Sequence, residues 1–201
     1  MPAETLSKGE RTSQAIVDAA YDLIAKQGYA ATSMRQIADK AGLALGSIYN
    51  HFSSKEEVFV AVLQERHPIF QIVPLLNWTE GETAEEFARN AAHTLIAELG
   101  QHPEFLNLLL TEIVEFKGAH VPIVFEKMLP MILQLAQRLS NLEGDLREIP
   151  DLVLVRVFLG MIFSYFITEL LLSRTLIVET QVNALDHFVD IFLHGILVDK
   201  D

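Results

Sequence analysis

Residues 32–56 read TSMRQIADKAGLALGSIYNHFSSKE and contain the signals for two short helices. Ser33 and Gln36 have the spacing of a capping box, in which a hydroxyl and a side-chain carbonyl three residues later satisfy each other's end amides. The helix that begins there is predicted to end at Gly42. A second short helix is predicted over about 45–52. Two short helices joined by a tight turn outline a helix-turn-helix, whose second helix lies in the major groove of DNA.

The same stretch closely resembles the signature of the TetR (tetracycline-repressor) family. Its most specific part is the segment GSIYNHF at 46–52, followed by Ser-Lys-Glu at 54–56. The resemblance covers roughly residues 8–67, a third of the chain. It implies a DNA-binding domain at 8–67, with its motif at about 33–52, and a ligand-binding and dimerisation domain at 68–201.

The resemblance also implies which residues contact operator DNA. Residues at the N-terminus of the first short helix are expected to bind phosphate, because free amides there favour an anion. Arg35 is expected to reach a base edge or a phosphate, and Tyr49 to lie in or beside the groove. His51 and Lys55 are expected to clamp the flanking backbone. The full predicted contact set is Thr32, Ser33, Arg35, Leu45, Gly46, Ser47, Tyr49, Asn50, His51 and Lys55.

One position departs from the family's pattern. Ala44 stands where the family commonly has a capping Ser or Thr, so a helix cap is missing there. Leu45 is apolar where many relatives carry a polar residue that reads bases. It is expected to touch a thymine methyl, while Gly46 lets the backbone approach the DNA. The residues expected to pack inside are Ile37, Ala38, Ile48 and Phe52.

Glycines, prolines and capping boxes recur along the whole chain at helical intervals, and strand signals are nearly absent. About nine helices are predicted, so the expected fold class is all-α: a three-helix DNA-binding domain and a larger helical domain. The charge supports this division, because residues 1–66 carry a net charge of −1 and the other 135 residues carry −11. DNA contacts therefore belong to the first third of the chain, since phosphate repels the acidic remainder.

The composition excludes several other kinds of site. The chain has no cysteine, which excludes a disulfide framework and a Cys-based metal site. It contains no nucleophile–base set, phosphate-binding glycine loop or HExxH spacing, so no enzyme, cofactor or metal is predicted. His93 lies on the polar side of its helix and is expected to be exposed. The N-terminus lacks a basic start followed by an apolar run, which predicts a cytoplasmic protein without a secretion signal.

The acidic domain is expected to hold a small, largely apolar ligand. Glu112 lies on an apolar face of its predicted helix, and a buried carboxylate must be paired, protonated or in contact with water or ligand. Two interpretations stay open: an ion pair, with Arg156 as a candidate partner, and a polar anchor inside an apolar pocket. The predicted pocket lining is Phe105, Leu109, Glu112, Phe116, Phe125, Met128 and Tyr165.

Residues 157–172 form the most apolar run of the chain. This run is 16 residues long and contains Ser164, Thr168 and Glu169, whereas a membrane span needs about 20 apolar residues. A core helix that also packs across a two-fold axis is predicted, without membrane contact. The final helix supplies the rest of a homodimer interface. Its predicted interface residues are Val182, Leu185, Phe188, Val189 and Phe192.

These features together predict a ligand-responsive transcriptional regulator. It is expected to be a homodimer that represses from a palindromic operator. A small-molecule effector is expected to release it by tilting the helix that begins at Lys55. The alternative is a soluble helical carrier of hydrophobic ligands that has no DNA role.

Overall fold

The computed structural model describes residues 7–102, 104–142, 147–172 and 183–196. Every regular element within these residues is a helix, which confirms the all-α prediction. The helices are α1 Lys8–Gln27, α2 Met34–Lys40, α3 Leu45–Ile48, α4 Lys55–Arg66, α5 Ile69–Leu75, α6 Ala84–Gln101, α7 Glu104–Val114, α8 Val121–Ser140, α9 Asp151–Leu172 and α10 Ala184–Ile196. The short α5 is an addition to the helices predicted from the sequence.

Side-chain caps fix where several helices begin. Ser33 and Gln36 make both capping-box hydrogen bonds that the sequence predicts. Ser7 at α1 and Thr83 at α6 begin further capping boxes. Ala44 gives α3 no side-chain cap, and α3 ends at Ile48, earlier than predicted. An uncapped helix leaves its first amides without side-chain acceptors, which is consistent with a recognition helix of a single turn.

The chain folds as two compact units. The first comprises the described residues of Met1–Phe70 and Pro103–Lys127, and the second those of Gln71–His102 and Met128–Asp201. The sequence predicts one boundary, after residue 67, which places α7 in the ligand-binding domain. In the structure α7 belongs to the unit that carries α2 and α3.

The core of the first unit is built around α1, which packs against α2, α4 and α7. Ile16 and Ile24 of α1 are fully buried, and so is Leu108 of α7. Burying such a side chain stabilises the fold by about 1.5–3 kcal/mol. The hydroxyl of Tyr21 donates a hydrogen bond to Glu104 over 2.5 Å. This bond ties the start of α7 to α1.

In the second unit α6 packs against α9 and α10. Two polar pairs join α6 to α10. Arg89 lies 2.5 Å from Asp190, and the Nε2 atom of His93 lies 2.9 Å from Asp186. His93 is exposed, as the sequence predicts. These partly exposed pairs add to the apolar packing that holds α10 on α6.

His67, which follows α4, makes the first unit sensitive to acid. The ring is 7% exposed, and its Nδ1 atom accepts a hydrogen bond from the amide of Ile69. Burial lowers the pKa of His67 from 6.5 to about 4, so the unfolded chain binds the proton more readily. Above pH 6.5 His67 is neutral in the folded and the unfolded chain, and its full contribution to the free energy of unfolding is present. We expect it to fall by about 3 kcal/mol as the pH drops from 6.5 to about 4.

Urea unfolding at several pH values measures this loss. The variant His67→Phe lacks the titrating group, so its stability is expected to change less over the same interval. An equal pH dependence of the variant and the wild type would contradict the prediction.

Candidate nucleic-acid interface

The inner face of the helix-turn-helix, formed by α2, the turn after it and α3, is fixed by burial. Ile37, Ala38 and Ile48 are fully buried and Phe52 is 8% exposed, so the residues predicted to pack inside do so. Gly42 makes the turn with a φ of +69°. This is a left-handed conformation that glycine adopts without the steric cost of a Cβ atom. The outer face is therefore held on a rigid support.

The outer face carries most of the predicted contact residues. Ser47 and His51 are half-buried, and the Tyr49 side chain is 52% exposed although it is aromatic. Phosphate and base contacts need polar groups of this kind on the surface of the motif. The exposed members of the predicted set are Ser33, Arg35, Gly46, Tyr49 and Asn50.

Thr32 does not lie on this face. Its side chain is 2% exposed, and its hydroxyl donates a hydrogen bond to the carbonyl of Gly28 over 2.9 Å. Its amide donates to the carbonyl of Tyr29 over 3.0 Å. Both donors of Thr32 are thus used inside the protein, so the structure does not support the phosphate contact predicted for it.

The beginning of α3 combines a packed side chain with an open backbone. Leu45 is half-buried and packs against the core of the first unit. Only the outer part of this side chain is left for the predicted contact with a thymine methyl. At Gly46 an added Cβ atom would meet no other atom within 4 Å. The space around Gly46 therefore lets a DNA duplex approach the backbone.

Lys55, predicted to clamp the DNA backbone, is held by the protein itself. Its Nζ atom donates hydrogen bonds to the carbonyls of Tyr29 over 2.9 Å and Thr32 over 2.8 Å, and lies 4.0 Å from the Tyr29 ring centroid. Burial lowers the pKa of the Lys55 ammonium. An ammonium has three N–H donors, so one is left for phosphate after the turn between α1 and α2 has taken two.

Replacing Lys55 with Met is expected to have two separable effects. The folded state should lose about 1 kcal/mol, because two carbonyls lose a charged donor. The affinity for every DNA sequence should fall, and the slope of log K against log salt should drop by about one, as expected for one lost phosphate contact. Unfolding and salt-titrated binding measure the two effects. Lys26→Met, which removes an exposed cation of α1, is the control. An unchanged salt slope for Lys55→Met would exclude the phosphate contact.

Glu112 is buried, with 3% of its surface exposed, and its partner is His120. The Oε1 atom of Glu112 accepts a hydrogen bond from the His120 amide over 2.7 Å, and the Oε2 atom lies 2.9 Å from His120 Nδ1. Arg156, the candidate partner from the sequence, is exposed and belongs to the second unit. Both carboxylate oxygens of Glu112 are used by His120, so the predicted role as a ligand anchor is not supported.

The predicted pocket lining is divided between the two units. The first unit contains Phe105, Leu109, Glu112, Phe116 and Phe125, and the second contains Met128 and Tyr165. The Phe105 ring lies 5.5 Å from that of His67, and the Phe116 ring stacks on Phe59 at 5.1 Å. Phe105 and Phe116 therefore pack inside the first unit. A pocket built from the remaining apolar residues stays a prediction.

An apolar groove of about 490 Å³ runs between α9 and α10. Phe188 and Phe192, two of the predicted interface residues, line it. Leu185 and Val189 are buried inside the second unit, and Val182 lies outside the described residues. Phe188 thus faces the groove, the largely buried Phe192 forms part of its wall, and Leu185 and Val189 pack within the chain.

Three exposed aliphatic residues of this groove are not in the predicted interface set, although Val157 begins the run of 157–172 that is predicted to pack across the two-fold axis. Val153, Val157 and Ile191 line it, and their side chains are 47%, 49% and 74% exposed. The sequence does carry a signal for them, because α9 is apolar on all sides. A helix that is hydrophobic all round must be covered on all sides.

α9 spans 22 residues, with a mean hydropathy of 1.8 in its most apolar stretch. It begins at Asp151, earlier than the apolar run of 157–172, so it is long and apolar enough to cross a membrane by length and composition alone. The length argument against a span therefore does not hold. Only 22% of that stretch is buried within the chain. Soluble monomers rarely expose patches of this kind, so the surface needs a cover.

Known proteins resemble both the motif and the whole fold. Residues 16–62 match the family described as bacterial regulatory proteins, tetR family. The uncharacterized HTH-type transcriptional regulator YvkB of Bacillus subtilis is 26% identical over 190 residues, which cover 94% of this chain and 98% of YvkB.

Two solved structures share the fold. One comes from Mesorhizobium loti and is described as a TetR-family transcriptional regulator; it has a TM-score of 0.73 and 24% identity over 96% of this chain and all of its own. The other is the multidrug binding protein EbrR, with a TM-score of 0.64 and 20% identity over 98% of this chain and all of its own.

The buried inner face, the exposed outer face and these likenesses define a helix-turn-helix transcriptional regulator. The class agrees with the prediction from residues 32–56. Residues 16–62 match the TetR family model, and the chain resembles HTH-type and TetR-family regulators along most of its length. A helical carrier without a DNA role is not favoured by these findings.

Proposed function

We propose that this regulator is a homodimeric repressor that binds a palindromic operator through two copies of α3 and leaves it when a small, largely apolar ligand binds. Two exposed surfaces of opposite character carry the proposal. The outer face of the first unit presents Arg35, Tyr49 and Asn50 above a buried support. The second unit presents an apolar groove between α9 and α10. The first surface suits DNA and the second suits another copy of the chain.

The second copy is favoured by the size of the recognition helix. A helix of a single turn, Leu45–Ile48, makes few base contacts, so specific binding calls for two half-sites read by a two-fold dimer. An isologous interface presents the same face from both copies, and the exposed Val157 and Ile191 supply apolar surface for it. A membrane would cover the same residues, and the oligomeric state without lipid distinguishes the two.

The effector is proposed to be small and largely apolar. Residues 67–201 carry a net charge of −11, which repels phosphate and favours a neutral or cationic ligand. EbrR, which shares the fold, is described as a multidrug binding protein, so this architecture accommodates small molecules. The remaining predicted lining residues are the candidate contacts: Leu109, Phe125, Met128 and Tyr165. The proposed location is the cytoplasm, where operator DNA is found.

One titration tests operator binding and release together. The wild-type chain is mixed with labelled DNA that flanks its own gene, and the complex is followed by gel shift. Tetraphenylphosphonium and a long-chain fatty acid are then added as a lipophilic cation and a lipophilic anion. We expect the chain to form a complex with the labelled DNA that scrambled DNA does not displace. We also expect one of the two probes to release the chain from this DNA. A hundredfold loss of affinity corresponds to about 3 kcal/mol of coupling.

The outcomes separate the candidate functions. Probe binding without any DNA complex would support the carrier and refute the regulator. A DNA complex that persists with every ligand tested would support the regulator and refute release by such ligands. Transcription from the same DNA in vitro then shows whether the bound chain represses.

A further inference from the structure

His120, in the turn before α8, contacts one carboxylate with each ring nitrogen. Its Nδ1 atom lies 2.9 Å from Glu112 of α7, and its Nε2 atom lies 3.4 Å from Glu56 of α4. The His120 side chain is 11% exposed, whereas the Glu56 side chain is 57% exposed. His120 thus connects a buried carboxylate of α7 to the surface of the first turn of α4.

The geometry of His120 offers a carboxylate acceptor to each ring nitrogen. The two nitrogens face carboxylate oxygens, which only accept hydrogen bonds when ionised. A neutral imidazole has one donor and one acceptor, so with Nδ1 donating to Glu112 it turns a lone pair towards Glu56. Protonation converts this repulsive approach into a charge-assisted contact. Loss of the proton releases the exposed Glu56 and leaves the bond to Glu112 in place.

The residues that lead into α4 and the first turn of α4 contact both helices of the DNA-reading motif. Phe52 is buried and its amide donates to the carbonyl of Ile48, the last residue of α3. Lys55, which precedes Glu56, donates to the carbonyl of Thr32 just before the cap of α2. A contact that holds this turn therefore also fixes the orientation of α2 and α3.

We propose that His120 is a positioning residue for operator binding, which in its protonated form ties the first turn of α4 to α7 and so holds the motif ready for DNA. The inference rests on the DNA-binding function proposed above. It makes operator affinity dependent on pH through a residue outside the DNA-contact surface. Histidine suits this role because it ordinarily changes charge between about pH 5 and pH 8.

Among the groups that face His120, Glu56 is the one whose contact with the ring changes when His120 gains or loses a proton. Glu112 faces the ring from α7 and Glu56 faces it from α4, while the rings of Phe59 and Phe116 pack against it at 6.5 and 4.8 Å. Glu115 of α7 acts electrostatically on Lys55.

The test compares operator affinity at about pH 6 and about pH 8.5, at one ionic strength, for the wild type and His120→Gln. The wild type should lose about threefold more affinity than the variant over this interval, the size expected for one partly exposed ion pair. Glu56→Gln, which alters an exposed residue and does not threaten the fold, should remove the same component. In the double variant the two losses should not add.

Two controls isolate the contact between His120 and Glu56. Glu65→Gln makes the same charge change at an exposed position on α4 and should keep the wild-type pH profile. His51→Gln removes the histidine that is itself a predicted phosphate contact, so its contribution can be subtracted. A wild-type profile in His120→Gln or Glu56→Gln would overturn the proposal. So would an equal loss at both pH values with a lower melting temperature. If the wild type binds no DNA at all, it is the proposed function that fails.

Discussion

Replacing Arg35 or Tyr49 with alanine is expected to lower operator affinity by about ten- to a hundredfold, the range that corresponds to losing one good base contact. Both side chains are exposed on the outer face of the motif, so their removal leaves the core intact. Non-specific DNA should lose much less affinity, because the phosphate contacts are kept. Binding isotherms on operator and scrambled duplexes at one salt concentration measure both losses.

Matched controls make this result interpretable. Lys26→Ala removes an exposed cation that lines a separate surface cleft with Asp22 and Glu104, and Trp78→Ala removes an aromatic side chain that is 84% exposed in the second unit. Neither control should change operator affinity. If Arg35→Ala and Tyr49→Ala both bind operator within about twofold of the wild type, the motif does not read DNA as proposed.

The parts of the fold that the sequence predicts well depend on local chemistry. The capping box of Ser33 and Gln36 places the start of α2, and both of its hydrogen bonds form. Gly42 marks the turn because its φ of +69° is unfavourable for other residues. The packing of Ile37 and Ile48 follows from helical spacing. Each of these features is decided within a few residues.

The directions of individual polar side chains are harder to predict than the starts and turns of the helices. Thr32 sits at a helix N-terminus, where phosphate binding is a reasonable expectation, yet its hydroxyl is used by Gly28. Lys55 follows the motif as an ordinary surface cation would, yet two carbonyls from the turn after α1 hold it. The Lys55 contacts have no signal in the local sequence, because its partners are more than twenty residues away. The Thr32 bond is local, since its acceptor is four residues back along the chain.

Glu112 shows why burial is easier to predict than partnership. Its position on an apolar face predicts a buried carboxylate, and it is buried. The pairing with Arg156 is wrong because the chain turns back just after α7, with Lys117 and Gly118 at φ values of 53° and 80°. This turn brings His120 onto Glu112. A turn-forming glycine between a carboxylate and a histidine was the available signal.

The interface helices show a related limit. Leu185, Val189 and Phe192 have the spacing of a buried stripe, and the structure buries that stripe against its own unit. The face left for a partner is the one that carries Ile191, together with Val157 of α9. Hydrophobic periodicity shows that a helix has an apolar face. It does not show which of two apolar faces packs inside the chain.

Replacing both Val157 and Ile191 with glutamate is expected to convert the proposed dimer into monomers. Their side chains are 49% and 74% exposed in one copy, so the folded monomer should tolerate the charges. A two-fold interface would bring four carboxylates together without partners, which should raise the dimer dissociation constant by at least about a hundredfold. Sedimentation equilibrium measures this shift, and operator affinity should fall with it because each monomer reads a single half-site.

Comparison with a buried position and with a distant charge separates dimer loss from unfolding. Phe192 is 8% exposed and packs on Phe158 with ring centroids 5.4 Å apart, so Phe192→Glu should lower the melting temperature, whereas the Val157 and Ile191 variant should not. Gln137→Glu adds charge at an exposed position of α8 outside the groove and should leave the dimer intact.

A wild-type chain that sediments as a monomer at micromolar concentration would refute the dimer. The apolar face of α9 would then need another cover, and binding of the wild type to phospholipid vesicles, abolished by the same two glutamates, would identify a membrane as that cover.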